Sequence, residues 1–338
     1  MKIFLPFAFN GLGGVATFAK KFRAAMERQG HMVVFEQPES YDLLFLVVQA
    51  PFRYLRDAKR KSIPIIQRLD GVFYYSVVGF RFPPHPLLNL KAKLIRHLYA
   101  DFTIYQSRYS QKVCRRFLGR KKDERSEVIY NGVDIDLFSP SGETVNLRDN
   151  PDQIIFFAAA SFRRKDQLFP VLQALDVFRS RYGNNFKFVM AGDFTRELEG
   201  IEARLASFPN VQYIGKIANE DLPRYERGAD VFVFMYLNPA CPNAVLEAMA
   251  CGLPICGIAD GAMPELVTHG KEGMLSPAYG DAFWKKRKYD LASIADNLHH
   301  ILSHREEFSR AARKKACSRF TLASMTDRYA KAFGKLKP

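Results

Sequence analysis

The chain has 338 residues, of which 48% are hydrophobic and 25% charged, with a formal net charge of +15. That length predicts two domains of roughly 150 residues each, and the apolar content excludes a globally disordered chain. The five cysteines, Cys114, Cys241, Cys251, Cys256 and Cys317, form no CxxC or Cys/His cluster, and their odd number and irregular spacing fit the reduced thiols of a cytoplasmic protein.

The N-terminal Met1-Lys-Ile-Phe-Leu-Pro leads directly into an apolar strand-like stretch with no small-residue cleavage site, so no signal peptide is expected. No run of about 18 apolar residues offers a membrane span. In chain order, strands are predicted at Lys2–Phe7, Met32–Phe35, Leu43–Val48, Ile63–Leu69, Asp101–Tyr105 and Val128–Tyr130. A second series follows at Ile154–Ala160, Phe186–Ala191, Val211–Ile214, Val231–Phe234 and Ile255–Ile258. Between the first two strands Val15, Phe18, Ala19, Phe22, Ala25 and Met26 mark one helical stripe, and Gly30 is the natural C-cap. Runs apolar on both faces, alternating with amphipathic helices, imply an α/β protein with parallel sheets covered on both sides. The polar stretch Ser139–Pro151 separates the two series and reads as an interdomain linker. Leu322, Met325, Tyr329 and Phe333 give the last segment a helical spacing.

Four constellations could carry chemistry. Asn10-Gly-Leu-Gly13-Gly14-Val15 follows the first strand and opens the first helix, where glycines admit a ligand close to the backbone and the helix start supplies N–H groups for an anion. It lacks GxGxxG spacing, so a nicotinamide fingerprint is weak, and a plain tight turn is the bland alternative. Arg163, Arg164 and Lys165 stand just past the first strand of the second series, where open α/β sheets bind ligands. A departing diphosphate gathers negative charge; one cation at 4 Å is worth about 4 kcal/mol at an effective dielectric near 20, against about 1.4 kcal/mol for each tenfold in rate. A solvated basic loop is the alternative there.

The third constellation is Cys241-Pro-Asn-Ala-Val-Leu-Glu247-Ala-Met-Ala-Cys-Gly-Leu-Pro254. Glu247 is an acidic residue in a mostly apolar helix that Gly252-Leu-Pro254 should stop. Burying its carboxylate is expensive unless it accepts hydrogen bonds, and the vicinal hydroxyls of a ribose are a fitting donor set. Helix capping or exposure is the alternative. The fourth is Arg68-Leu-Asp70-Gly71, in which Asp70 could orient or deprotonate an acceptor hydroxyl, or simply serve an Asp-Gly turn.

Taken together these segments resemble a retaining glycosyltransferase of family 4 with the GT-B fold, almost end to end. The likeness rests on an ordered series: the Gly-Gly loop, Asn131-Gly-Val-Asp134, the cations at 163–165, Gly215, Ala229-Asp230, the run ending Asn243-Ala-Val-Leu-Glu247-Ala-Met-Ala-Cys-Gly-Leu-Pro254, and Gly261-Ala-Met-Pro-Glu265 with Gly270 and Gly273. The resemblance implies two Rossmann-like doubly wound domains facing a central cleft. An acceptor-side domain would span 1–140, a linker 141–151 and a nucleotide-sugar domain 152–319, with a final helix over 320–338 packing back on the first. It implies a donor diphosphate bound by Arg163 or Arg164 and Lys165, and a ribose on Glu247. The base would lie along Gly215 and Lys216, with Asn243, Ala244 and Val245 completing the donor set and Gly13 and Gly14 reaching it from the other lobe. Neither cofactor nor divalent metal is expected. One departure stands out: the family's donor-sugar glutamate, eight positions before Glu247, is Pro239 here. Backbone N–H groups of Ala240 to Asn243 are the expected substitute.

Within residues 1–140 there are 23 Lys and Arg against 12 Asp and Glu, a net of +11. Clusters at Lys20-Lys21-Arg23, Arg53/Arg56/Lys59-Arg-Lys61, Lys91/Lys93/Arg96 and Arg115-Arg116/Arg120-Lys-Lys122 interleave with Leu, Ile and Tyr around Leu87–Tyr99. This pattern fits peripheral contact with an anionic membrane on its cytoplasmic face and a glycan or lipid-linked acceptor. Three rivals are weighed: a GT-B nucleotide-sugar epimerase, a catalytically weakened sugar-nucleotide-binding relative motivated by Pro239, and a nucleic-acid-binding protein. The last has only charge in its favour, with no recognisable nucleic-acid module.

Overall fold

The computed structural model describes residues 1–6, 14–73, 85–162, 164–194, 198, 200–280, 283 and 288–336. The chain divides into two compact units. The first comprises Met1–Gly132, Ala282–Lys285 and Leu322–Pro338, and the second Val133–Asp281 and Lys286–Thr321.

In the first unit, β1 (Lys2–Phe4), β2 (Met32–Val34), β3 (Leu43–Val47), β4 (Ile65–Leu69), β5 (Phe102–Tyr105) and β6 (Ser126–Val128) form one parallel sheet in the order β2-β1-β3-β4-β5-β6. The side-chain period of two sorts its residues between two cores. Leu43 and Phe45 of β3 join Ile66 of β4 on one face, while Leu44, Leu46 and Ile65 pack on the other. The first face receives the helix Gly14–Arg28 through Phe18, Ala19, Phe22, Ala25 and Met26. It also receives the helix Leu322–Gly334 through Met325, Tyr329 and Phe333. Phe22 is the centre of that packing, its ring 5.0 Å from Phe45 and 5.2 Å from Tyr329. Emptying its site by Phe22→Ala would cost about 3–5 kcal/mol. The first helix ends in a Schellman motif: Gly30 takes a positive φ of 78°, and the N–H groups of Gly30 and His31 donate to the carbonyls of Glu27 and Met26.

The second unit builds a separate parallel sheet from β7 (Ile154–Phe162), β8 (Phe186–Phe194), β9 (Val211–Tyr213), β10 (Val231–Phe234), β11 (Ile255–Ile258) and β12 (Gly273–Ser276). A two-stranded hairpin of β13 (Ala278–Tyr279) and β14 (Lys288–Tyr289) follows. Read from its far edge, the order is β9-β8-β7-β10-β11-β12. This is the 3-2-1-4-5-6 order of a doubly wound nucleotide-binding sheet, in which the chain reverses direction of travel between its first and fourth strands. The helices Phe169–Tyr182 and Leu291–Ser303 share a core with alternate residues of β7, β8 and β10. The helix Asn243–Ala250 packs against Arg305–Arg319.

Three features differ from the sequence reading. β7 and β8 run on past their apolar stretches, paired as far as Phe162 with Phe194, because Gly192 lets the two backbones close up: a Cβ there would lie 1.8 Å from the Ala160 carbonyl oxygen. β12, Gly-Met-Leu-Ser, adds a strand with only two apolar residues between Gly and Ser, which makes no apolar run; a Cβ on Gly273 would lie 2.0 Å from the Ile255 carbonyl oxygen. The division between units falls at Gly132–Val133, not at the polar stretch 141–151. That stretch lies along the second unit. Arg227 donates to the carbonyls of Ser139 and Glu143 at 3.0 and 2.7 Å, Val145 N–H to Arg224 O at 2.9 Å, and Arg148 to Asp230 at 2.7 and 2.8 Å.

Candidate functional site

A doubly wound sheet leaves its ligand crevice at the carboxyl ends of the strands flanking the reversal, because the connecting helices depart to opposite faces there. In the second unit those strands are β7 and β10. Their ends are tied together by Tyr236, whose hydroxyl donates to Ser161 O at 3.0 Å while its ring stacks on Phe234. Just inside these ends lies a small apolar cavity lined by Ala158, Phe162, Leu168, Val171, Phe188 and Met235, which belongs to the core.

The chain leaving β7 turns at once into a short 3-10 helix, Lys165–Gln167, closed by the Gln167 side chain accepting from Arg164 N–H at 3.1 Å. Arg164 is half-buried in this turn. Lys165 is exposed and, among the described residues, has no carboxylate partner. Arg163 lies outside the described residues.

The chain leaving β10 enters the helix Asn243–Ala250. Its sequence, Asn-Ala-Val-Leu-Glu-Ala-Met-Ala, is rich in strong helix formers. A second Schellman motif stops it: Gly252 has a φ of 81°, with Gly252 N–H on Met249 O and Leu253 N–H on Ala248 O. Arg313 donates to the last carbonyl, Ala250 O, at 2.6 Å, which suits a cation to the negative end of the helix. The start is treated differently. Pro242 occupies the N-cap, no side chain caps the helix, and no acidic residue lies in its first turn. The N–H groups of Ala244 and Val245 therefore point out of the helix start without intrahelical partners, as an anion site requires.

Glu247 sits one turn into this helix and is 4% exposed. Asn219 Nδ2 donates to its Oε1 at 3.4 Å. That contact brings Glu247 to the loop after β9, where Gly215 takes a φ of 73° and accepts from Gly192 N–H at 2.8 Å, and where Lys216 is exposed. Three loops, those after β7, β9 and β10, thus open at one edge of one sheet. They carry Arg164, Lys165, Gly215, Lys216, Asn243, Ala244, Val245 and Glu247. The burial of the thiols of Cys251 and Cys256 pushes both well above the usual range, so neither is a nucleophile at neutral pH.

The segment around Pro239 is held from behind. Asn238 adopts a left-handed φ of 57°, and its N–H donates to the buried Asp260 carboxylate at 2.6 Å. Pro239 O accepts from Ala262 N–H at 2.8 Å, and Gly261 stands so close that a Cβ would lie 2.4 Å from the proline ring. Pro239 is thus a fixed corner of backbone.

In the first unit, Asp70 follows β4 and pairs with Arg68. Arg68 is 1% exposed, lies with its guanidinium 3.7 Å from the centre of the Phe18 ring, and donates to Tyr329 Oη at 3.1 Å and Asn131 Oδ1 at 2.9 Å. Desolvation raises the Asp70 carboxyl above its ordinary value, against the opposing pull of Arg68 and a hydrogen bond from Gln106. A carboxyl tuned upward and held in place is suited to accept a proton. Gly13 lies outside the described residues, and Gly14 is the first residue of the helix Gly14–Arg28. Gly192, Tyr236, Asn219, Asp260 and Gly261 were not picked out as individual site residues in the sequence. Their work is to fix loops by single hydrogen bonds or close approach, which leaves no spacing pattern; Gly261 alone stood within a quoted motif. Among the described residues no group of three His, Cys, Asp or Glu side chains is placed to hold a metal ion.

Two parallel six-stranded doubly wound sheets define the GT-B class of fold. Solved structures agree: the chain matches Anabaena Alr3699/HepE, in complex with UDP and glucose, with a TM-score of 0.75 at 17% identity, covering 99% of this chain and 100% of that one. It matches WaaG, a glycosyltransferase involved in lipopolysaccharide biosynthesis, with a TM-score of 0.71 at 14% identity, covering 98% and 99%. Residues 151–302 match the family model described as glycosyl transferases group 1. Among curated relatives, the GDP-mannose-dependent alpha-(1-6)-phosphatidylinositol monomannoside mannosyltransferase of Mycolicibacterium smegmatis is 26% identical over 238 residues, or 63% of this chain and 61% of that protein. The amylovoran biosynthesis glycosyltransferase AmsK of Erwinia amylovora is 28% identical over 168 residues, or 47% and 40%. The chain therefore spans less than two thirds of the curated relatives it matches.

Proposed function

We propose that this protein is a retaining glycosyltransferase of family 4. It moves a sugar from a nucleotide-sugar donor to a hydroxyl of a glycan or lipid-linked acceptor, at the cytoplasmic face of a membrane. The observation that carries the reading is the reversal point of the second sheet, where an uncapped helix start, Arg164, Lys165 and the buried Glu247 stand on neighbouring loops. In the reaction the bond between the anomeric carbon and the diphosphate oxygen breaks as the acceptor oxygen bonds that carbon from the same face. The diphosphate leaves with the electron pair, and the acceptor proton is lost to a phosphate oxygen or to Asp70. Lys165, Arg164 and the N–H groups of Ala244 and Val245 stabilise the charge on the diphosphate, so no divalent metal is invoked. Glu247 accepts the ribose hydroxyls, and the loop at Gly215–Lys216 runs beside the base. HepE, whose structure holds UDP and glucose, supports a nucleotide-sugar donor. The polysaccharide and phosphatidylinositol-mannoside relatives support the acceptor class.

A thermal-shift panel of nucleotide sugars tests this. A donor at 100 times its dissociation constant adds about 2.7 kcal/mol of stability. Lys165→Ala and Glu247→Ala are each expected to remove most of that shift and to abolish transfer or donor hydrolysis. Full shift and activity in both variants would remove the site from this edge of the sheet.

A further inference from the structure

We propose that the solvent-facing side of the helix His85–Leu98 is a docking face for an anionic phospholipid bilayer. This deepens the reading of a membrane-linked acceptor by naming the surface that meets the membrane. Leu87, Leu90, Leu94 and Leu98 follow one another at intervals of three, four and four and are 61%, 50%, 37% and 67% exposed. At about 100° per residue they fall within roughly 80° of one another, so they form a single stripe. With Phe73, they make up five of the nine large hydrophobic side chains exposed among the described residues. Phe73 is fastened beside the same helix, its N–H and carbonyl both hydrogen-bonded to the Asn89 side chain at 3.0 and 2.6 Å. Apolar exposure concentrated in this way marks an interaction surface rather than ordinary scatter.

The stripe cannot turn inward. The opposite side of the helix is occupied by buried Ala92, Ile95 and Arg96. Arg96 donates to Glu124 Oε1 at 2.8 and 3.0 Å, to Tyr105 Oη at 3.1 Å and to Gly119 O at 2.5 Å. Rotating the leucines into the core would bury them at the expense of this guanidinium network, so the helix is locked with its apolar stripe outward.

Charge identifies the occupant. Lys91 and Lys93 flank the stripe on its two sides. Lys91 also lies 5.8 Å from the centre of the Phe52 ring, which links the neighbouring helix Phe52–Arg60 and its exposed Arg53 and Arg56 to the same rim. Among the described residues neither Lys93 nor Arg56 has a carboxylate partner. A leucine stripe with a cationic rim matches acyl chains beneath anionic headgroups. A second copy would set two such rims against each other, and like charges disfavour that.

The test is sedimentation of the full chain with vesicles of equal parts phosphatidylcholine and phosphatidylglycerol. Binding is expected at low salt and should weaken as salt is raised. The quadruple variant L87Q/L90Q/L94Q/L98Q should lower partitioning on the order of tenfold or more, and K91E/K93E should lower it for these vesicles but not for phosphatidylcholine alone. Because the four leucines are exposed, the variant should keep the wild-type circular dichroism spectrum; the pair L90Q/L94Q serves if it does not. Equal partitioning of wild type and leucine variant, or no binding of wild type at low salt, overturns the proposal. So does a wild-type dimer that the leucine substitutions dissociate while vesicle binding is unchanged, which assigns the stripe to a second copy. Donor binding measured without vesicles is unaffected by these substitutions, so its failure would strike the transferase reading alone.

Discussion

Replacing Arg68 by methionine probes both the architecture of the first unit and the tuning of Asp70. The side chain is buried between the sheet and two helices, and its loss takes one donor from each of three acceptors at once: Asp70, Asn131 Oδ1 and Tyr329 Oη. It also removes the cation lying 3.7 Å from the centre of the Phe18 ring. Methionine fills much of the volume, so the cost is chiefly electrostatic. Breaking a buried pair by removing one partner typically costs about 3–5 kcal/mol, because the remaining charge is left in the interior. At about 2–4 °C per kcal/mol for a body of this size, the transition of the first unit should fall by on the order of 10 °C. Scanning calorimetry, which resolves the two units if they melt separately, measures this directly. Arg68→Lys should recover only part of the loss, since an ammonium cannot reproduce the fork that reaches three acceptors. A methionine variant melting within about 2 °C of wild type would refute the reasoning, and would mean that the Tyr329 and Asn131 contacts contribute nothing net.

Two further outcomes are expected. Because desolvation holds the Asp70 carboxyl above the ordinary aspartate range, kcat/KM should lose its acid limb at a higher pH than an ordinary aspartate would give. Arg68→Met should move that limb higher still, and a limb at or below pH 4 in both enzymes would deny Asp70 the role of base. The linkage runs in the matching direction: the folded state holds this proton more tightly, so its stabilising contribution is present below the unfolded value and is lost as pH rises through the raised one. Separately, Gly192→Ala should lower the stability of the second unit by at least about 2 kcal/mol. Its φ is 132° and the added Cβ would meet the Ala160 carbonyl oxygen at 1.8 Å. An unchanged urea midpoint would show that the β7–β8 approach is not as tight as described.

Much was legible in the sequence because local rules decide it. Apolar runs placed β10 and β11 at their observed bounds, the Phe18–Phe22–Met26 stripe gave the first helix, and Gly30 and Gly252 ended helices where only a left-handed residue fits. The order of motifs along the chain sufficed to suggest a fold class. Tertiary structure alone decided which strands are neighbours, and hence that the loops after β7 and β10 flank a reversal. It also decided that Glu247 is buried and meets Asn219, 28 positions earlier, and that Asp260 fixes Asn238. The leucines of His85–Leu98 show the limit most plainly. Their interleaving with Lys91, Lys93 and Arg96 reads as a cationic surface segment, but Arg96 is buried on the other side against Glu124 and Tyr105, and that network, formed only when distant segments meet, is what keeps the leucines in solvent. Periodicity tells which residues of a helix share a face; only the partners brought in by the rest of the chain determine which face is inside.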